Sequence, residues 1–130
     1  MIKEITINSK RRVDLIDITS IVRNEVKNSQ LKEGVVNIFV PHTTAGIFIN
    51  ENADPSVKED IKNALRNIAP ENGNYEHLEG NADSHIKSAI VGVSISIPFS
   101  EGEILLGTWQ GIFFAEFDGP RTRKVIIQIH

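Results

Sequence analysis

Three of the four histidines fall in polar, turn-like segments, where a ring nitrogen can face solvent or a ligand. His42 follows a hydrophobic run in Phe39-Val40-Pro41-His42-Thr43-Thr44-Ala45-Gly46, and His77 and His85 bracket His77-Leu78-Glu79-Gly80-Asn81-Ala82-Asp83-Ser84-His85. His130 ends the sequence and is expected to fray. Histidine is the commonest metal ligand and the usual acid–base group near neutral pH, so a three-histidine cluster would predict one chemistry or the other. Beside His42, the hydroxyls of Thr43 and Thr44 can donate to phosphate oxygens and Gly46 permits close backbone approach; an ordinary turn satisfied by its own threonines is the alternative. Before His85, Glu79, Asn81 and Asp83 precede a predicted helical turn whose first amides would favour an anion. His77 stands eight residues earlier, which is no helical ligand spacing, so it joins the other two only if its loop folds back. The pattern is not His-Glu-x-x-His, in which one helix face fixes both zinc ligands.

Two further segments carry polar groups at positions that invite chemistry. In Gly107-Thr108-Trp109-Gln110-Gly111 the single tryptophan could stack on a flat ring while Gln110 reads polar edges, or it could lie on a strand face in the core. Downstream, Glu116 sits among Phe113, Phe114, Ala115 and Phe117, where an ionised carboxylate needs a partner, and Arg121 is the expected one. Asn50-Glu51-Asn52-Ala53-Asp54 is a run of oxygen donors. Asp54 is explained as a helix cap, and Glu51 and Asn52 could hold a cation or a polar ligand, although the spacing matches no EF-hand loop.

The elements that must position these groups follow from hydrophobic period and punctuation. Residues 2–9 are rich in β-branched side chains and predict a strand, continued by Val13, Leu15 and Ile16 after a basic turn. Residues 17–20 offer helix caps, with Ile21, Val22 and Val26 at helical spacing and Gly34 as the stop. Val35 to Val40 predicts a buried strand halted by Pro41, and residues 46–51 another, so that 42–45 form the turn between them. Asp54-Pro55-Ser56 starts a second helix, whose apolar face is Val57, Ile61, Ala64, Leu65 and Ile68. Residues 71–84 form a long polar loop, a length that usually marks function or mobility. Ser84 is the expected cap of a short helical segment over 85–91. Val93, Ile95 and Ile97 alternate with serines up to Pro98, and the segments 104–106, 109–117 and 125–129 complete a strand-rich C-terminal half. The sum is an α+β fold: one antiparallel β-sandwich-like domain over 1–130 with two main helices.

Composition narrows the partners. The net charge is −3, and the basic clusters Lys10-Arg11-Arg12 and Arg121-Thr122-Arg123-Lys124 are short enough to be solvated turns, which argues against nucleic acid. With no cysteine, disulfides, thiolate metal sites and cysteine nucleophiles are excluded. No apolar stretch approaches the ~20 residues needed to span a bilayer, and the start lacks a signal-peptide core, so no membrane partner and a cytoplasmic location are expected.

Taken together, His42-Thr43-Thr44-Ala45, Glu51-Asn52-Ala53-Asp54, His77 with Glu79 to His85, and Gly107 to Gly111 with Glu116 to Arg121 closely resemble the YjbQ-like family (UPF0047), also named the secondary thiamine-phosphate synthase enzyme family. The match runs in order from Val35 to Ile129. The resemblance implies a compact sandwich-like fold assembled as a homotrimer. It also implies a weak secondary activity that condenses hydroxymethylpyrimidine diphosphate with thiazole phosphate. The family's histidines, a metal or catalytic cluster, correspond here to His42, His77 and His85. The expected site has His42, His85, Glu51 and Asp83 as catalytic groups. Thr43, Thr44, Asn81, Trp109, Gln110 and Arg121 would hold a phosphorylated anionic substrate, and a divalent ion such as zinc would sit on His42, His77 and His85. Two other functions fit the same residues: a metal-dependent hydrolase or lyase acting on a small anionic metabolite, and a non-catalytic sensor of a small ligand.

Overall fold

Eight strands and three helices follow one another as β1(Ile2–Asn8), β2(Asp14–Asp17), α1(Thr19–Ser29), β3(Glu33–Phe39), β4(Ala45–Glu51), α2(Pro55–Ile68), α3(Ala82–Val91), β5(Ser94–Ser100), β6(Glu103–Ile104), β7(Gln110–Glu116) and β8(Thr122–Ile129) in a computed structural model that describes residues 1–130. The strands form two antiparallel sheets, one in the order β1-β8-β3-β5-β6 and one in the order β2-β7-β4. Alternation along β8 and β3 turns Val125, Ile127, Ile129, Val36 and Ile38 inward, where they meet Ile47, Ile112 and Phe114 of the smaller sheet and Val22 and Val26 of α1. Each such side chain, fully buried, contributes on the order of 1.5–3 kcal/mol. A second apolar cluster, built from Leu15, Leu65, Phe113, Ala115 and Phe117, packs α2 on the other face of the smaller sheet. No helix is long and apolar enough to cross a membrane.

The α+β reading of the sequence holds, with three differences in detail. Helix α1 stops at Gln30, which takes the left-handed conformation (φ 61°). Gly34 instead lies in β3, where a Cβ would run into the carbonyl oxygen of His130. The third helix begins at Ala82, three residues before the expected start, and Ser84 is buried in its first turn. Ser84 Oγ donates to the Phe117 carbonyl and Ser88 Oγ to that of Ala45 (2.6 Å), so two hydroxyls fasten α3 to the smaller sheet, each worth about 1 kcal/mol.

Pro98 does not end β5; it pairs with Val35 inside the strand. Val35 exchanges both backbone hydrogen bonds with His130, on the side away from β5. The Pro98 carbonyl accepts from Leu105 N on the opposite side, so the missing N–H faces the short outer strand and interrupts no bond with β3.

The chain passes between the sheets at residues 9–13, 40–44 and 117–121, and the three crossings meet at one end of the sandwich. Phe117 N donates to the Thr44 carbonyl (3.1 Å), Arg121 N to Ser9 Oγ (2.8 Å), and Gly119 N to the Arg12 carbonyl (3.0 Å). The start of α3 lies against them through the Ser84–Phe117 bond.

Candidate functional site

At this end of the sandwich a cavity of about 630 Å³ is lined by His42, Thr43 and Thr44 from the β3–β4 crossing, by Glu79, Asn81 and His85 around the start of α3, and by Asp118, Arg121 and Arg123 from the β7–β8 segment. Of the residues expected from the sequence, the fold thus gathers His42, His85, Thr43, Thr44, Asn81 and Arg121. His77 joins indirectly. Its loop folds back so that its ring meets that of His85 edge-on, with centroids 5.1 Å apart, and these two line a neighbouring cavity of about 500 Å³. His85 therefore belongs to both cavities, between His42 on one side and His77 on the other.

The three imidazoles have different duties. His42 Nε2 accepts the backbone N–H of Lys124 (3.0 Å), which places the proton of the neutral ring on Nδ1. Burial and then the positive charge of Arg123 hold the His42 pKa below its ordinary value. Because the native ring resists protonation, its share of stability is full above the ordinary histidine pKa of about 6.5 and is lost as pH falls from there through the lowered native value. We expect the His42 ring, followed by NMR, to titrate with a midpoint below 6.5; a higher midpoint would mean that the ring is not held neutral.

The Asn81 amide nitrogen donates to Asp118 Oδ2 (2.9 Å), leaving Asn81 Oδ1 to accept from His77 Nε2 (3.0 Å), which must carry a proton. His85 meets the His77 ring at a steep angle, and neither of its ring nitrogens is hydrogen-bonded to the chain, which leaves both for the cavities it lines.

Beneath the cavity lies an ion pair that the sequence reading assigned wrongly. Glu116 is 0% exposed and pairs with Arg123, not with Arg121. Arg123 Nε donates to Glu116 Oε1 (2.9 Å), and its NH2 group reaches Glu116 Oε2 and Thr44 Oγ1 (2.8 Å). Burial alone would raise the Glu116 pKa. Hydrogen bonds from Arg123, from Ser9 Oγ and from the Asp118 amide together outweigh it and hold the group below the usual carboxylate range. Arg121 instead clamps Asp118, through Nε to its carbonyl (2.7 Å) and NH2 to Oδ2 (2.8 Å). Against the effect of burial, Asn81, Arg121 and Arg12 keep Asp118 ionised as well. With two of its five N–H donors so used, Arg121 has three left for an anion.

The remaining expected site residues are elsewhere in the chain. Asp83 is buried under α3, where it accepts from Lys87 Nζ (2.9 Å) and Arg12 NH2 (3.0 Å); it holds the helix rather than facing the histidine cavity. Glu51 and Gln110 are paired across β4 and β7 at the opposite end of those strands from the Ala45–Glu116 pair. Six residues of strand put them about 20 Å from the histidine turn. Trp109 is at that far end too, with its carbonyl accepting from Asn52 N (3.1 Å), and it is 63% exposed, so it is neither a core residue nor a stacking platform for this cavity in a single chain. Gln110 Oε1 accepts from Gly107 N (2.8 Å) and shapes its own turn. Glu51, Trp109 and Gln110 thus cannot meet His42 and His85 within one protomer.

The donor groups of one chain do not form the expected three-histidine metal site. No three His, Asp or Glu side chains stand together as a ligand group, His42 and His77 line different cavities, and the Nε2 atoms of both are engaged by the protein. A zinc ion on His42, His77 and His85 does not fit the geometry of one chain.

Sequence and structure comparisons agree on relatives. A family profile described as "UPF0047 protein YjbQ-like" matches residues 3–130. The UPF0047 protein MJ1081 of Methanocaldococcus jannaschii is 54% identical over 99% of this chain and 94% of its own length. The UPF0047 protein YugU of Bacillus subtilis is 45% identical, covering 99% of this chain and 98% of that protein. Among solved structures, an uncharacterised YjbQ/UPF0047 protein of Clostridium acetobutylicum superposes with a TM-score of 0.96 at 47% identity, over 98% of this chain and 99% of that one.

Proposed function

Because this chain belongs to the YjbQ-like UPF0047 family, we propose that it binds a small phosphorylated anion between His42, His85 and Arg121 and, as a secondary activity, joins hydroxymethylpyrimidine diphosphate to thiazole phosphate. The observation that supports this reading is the convergence, in one cavity, of a neutral histidine, a second histidine with both ring nitrogens uncommitted, and an arginine with spare donors. In the reaction the C–O bond between the pyrimidine methylene and the diphosphate breaks, its electron pair leaving with the diphosphate. The thiazole nitrogen lone pair then forms the new C–N bond, giving thiamine phosphate and pyrophosphate. Catalysis therefore needs donors for the charge that builds on the departing diphosphate. Arg121 and the Thr43 hydroxyl supply donors at the mouth of the cavity, and His85, when protonated, supplies a proton or hydrogen bond to the leaving oxygen.

The expected divalent ion fits best as a companion of the diphosphate substrate, since the histidines of one chain form no cage for it. We also keep the homotrimer as part of the proposal. Trp109 and Leu105, which follow one another closely on the β6–β7 connection, are both more than half exposed and suit a subunit contact better than open water. A neighbouring protomer is the one route by which Trp109, Gln110 or Glu51 could take part at a histidine cavity. Light scattering should return the mass of three chains; a monomer at micromolar concentration would remove the trimer from the account. A cytoplasmic location belongs to the same proposal, because that compartment supplies phosphorylated metabolites.

The test is product formation by purified protein, with thiamine phosphate resolved by chromatography. Tight binding of phosphorylated ligands without turnover would replace the enzyme by a ligand sensor.

A further inference from the structure

A second cavity, of about 530 Å³, opens beside α2 and shares no lining residue with the histidine cavity. Its floor is the buried Lys87–Asp83 pair together with Arg12, whose guanidinium reaches Asp83 (3.0 Å), Glu71 (3.3 Å) and Asp118 (3.1 Å) and so forms part of the wall between the two cavities. The floor is internally satisfied. The rim is not. Arg66 donates only to the neutral Asn63 amide (3.0 Å), and Arg11 has no carboxylate within salt-bridge distance. Lys62, the third rim cation, reaches Glu59 at 3.5 Å, outside the lining.

Five cations therefore line this cavity (Arg11, Arg12, Lys62, Arg66 and Lys87) against Glu71 and Asp83 in the lining and the outside partners Asp118 and Glu59, a local excess of one positive charge in a chain whose net charge is −3. Such an excess in a recess concentrates anions and strengthens their contacts relative to open surface. Apart from Val13, Pro70 and Asn72, every residue of the lining is charged, which favours an ionic ligand. Two guanidinium forks facing a recess match phosphoryl oxygens, which accept paired N–H bonds from more than one side.

We propose that this cavity is a binding site for a compact diphosphate-bearing anion, separate from the histidine site. The sequence showed only Lys10-Arg11-Arg12, which alone reads as a solvated turn; α2 brings Arg66 and Lys62 to it.

The probe is inorganic pyrophosphate, titrated at low salt into the full chain with backbone amides followed by NMR. Saturable shifts are expected at Glu71, Asn72 and the last turn of α2, weakening as salt is raised. The Arg11→Ala/Arg66→Ala double variant alters only exposed side chains and should keep the fold while weakening these shifts about tenfold or more. His85→Ala, at the other cavity, should leave them unchanged, so failure here and failure of the histidine-site reading are told apart. Absent shifts at these amides, or equal affinity in the double variant, would overturn the proposal.

Discussion

Replacing Arg123 by methionine is expected to destabilise the protein by about 3–5 kcal/mol, because it strands the Glu116 carboxylate in the interior. Glu116 has no exposed surface, and Arg123 makes two charge-assisted contacts with it while also tying down Thr44. Ser9 Oγ and the Asp118 amide would remain, too few for an ion removed from water. For a chain of this size the loss corresponds to a fall in Tm on the order of 10 °C or more. Its pH dependence separates this cause from simple loss of packing. In the wild type the Glu116 pKa is lowered, so its stabilisation is present above the ordinary carboxylate pKa and is lost as pH falls through the native value. In the variant burial outweighs the two remaining hydrogen bonds and raises the pKa, so stability falls as pH rises from the ordinary value through the raised one. The variant should thus be closest to wild type in mild acid and furthest from it at neutral pH. Adding Glu116→Gln should recover part of the loss at neutral pH. Calorimetric or denaturant unfolding showing a loss below about 1 kcal/mol would contradict a stranded charge.

Replacing His85 by alanine is expected to lower the turnover of thiamine-phosphate formation by about 10²-fold or more while leaving KM within a few-fold. The split follows from the division of labour in the cavity. Arg121 is held by Asp118, and Thr43 and Thr44 lie on the opposite β3–β4 turn, so the phosphate contacts survive the change. What is lost is the one imidazole whose nitrogens no other group occupies. His85 is only partly buried in the first turn of α3, and that helix stays fastened through Ser84 and Ser88, so the variant should fold. A comparable fall in stability would point instead to a structural role.

Much of this site was legible in the sequence because its parts carry local signals. His42, Thr43 and Thr44 follow Pro41 at a strand end, and Asn81 and His85 flank a helix start next to Gly80, so turn chemistry alone marks both segments. The error over Arg123 has a similarly local remedy. It occupies the inward phase of β8 with Val125, Ile127 and Ile129, and a charge on the apolar phase of a strand announces a buried partner. Arg121 has the same parity but stands before β8 begins at Thr122, so the strand aims only Arg123 at Glu116.

Glu51, Trp109 and Gln110 were misplaced for a different reason. They belong to polar motifs, but only the pairing of β4 with β7 decides which end of the strands they occupy, and register is a non-local property. Asp83 was misread because its two cationic partners come from α3 itself and from a turn 71 residues away. The same long-range assembly hides the basic cavity beside α2, whose arginines are far apart in the chain.

The most direct measurement is the rate at which purified wild-type protein and the His85→Ala variant form thiamine phosphate from hydroxymethylpyrimidine diphosphate and thiazole phosphate, at equal concentration and neutral pH. Slow but measurable product from the wild type, falling by about two orders of magnitude in the variant, is the result that a catalytic His85 requires. No product from the wild type, or the same rate from both proteins, would contradict it.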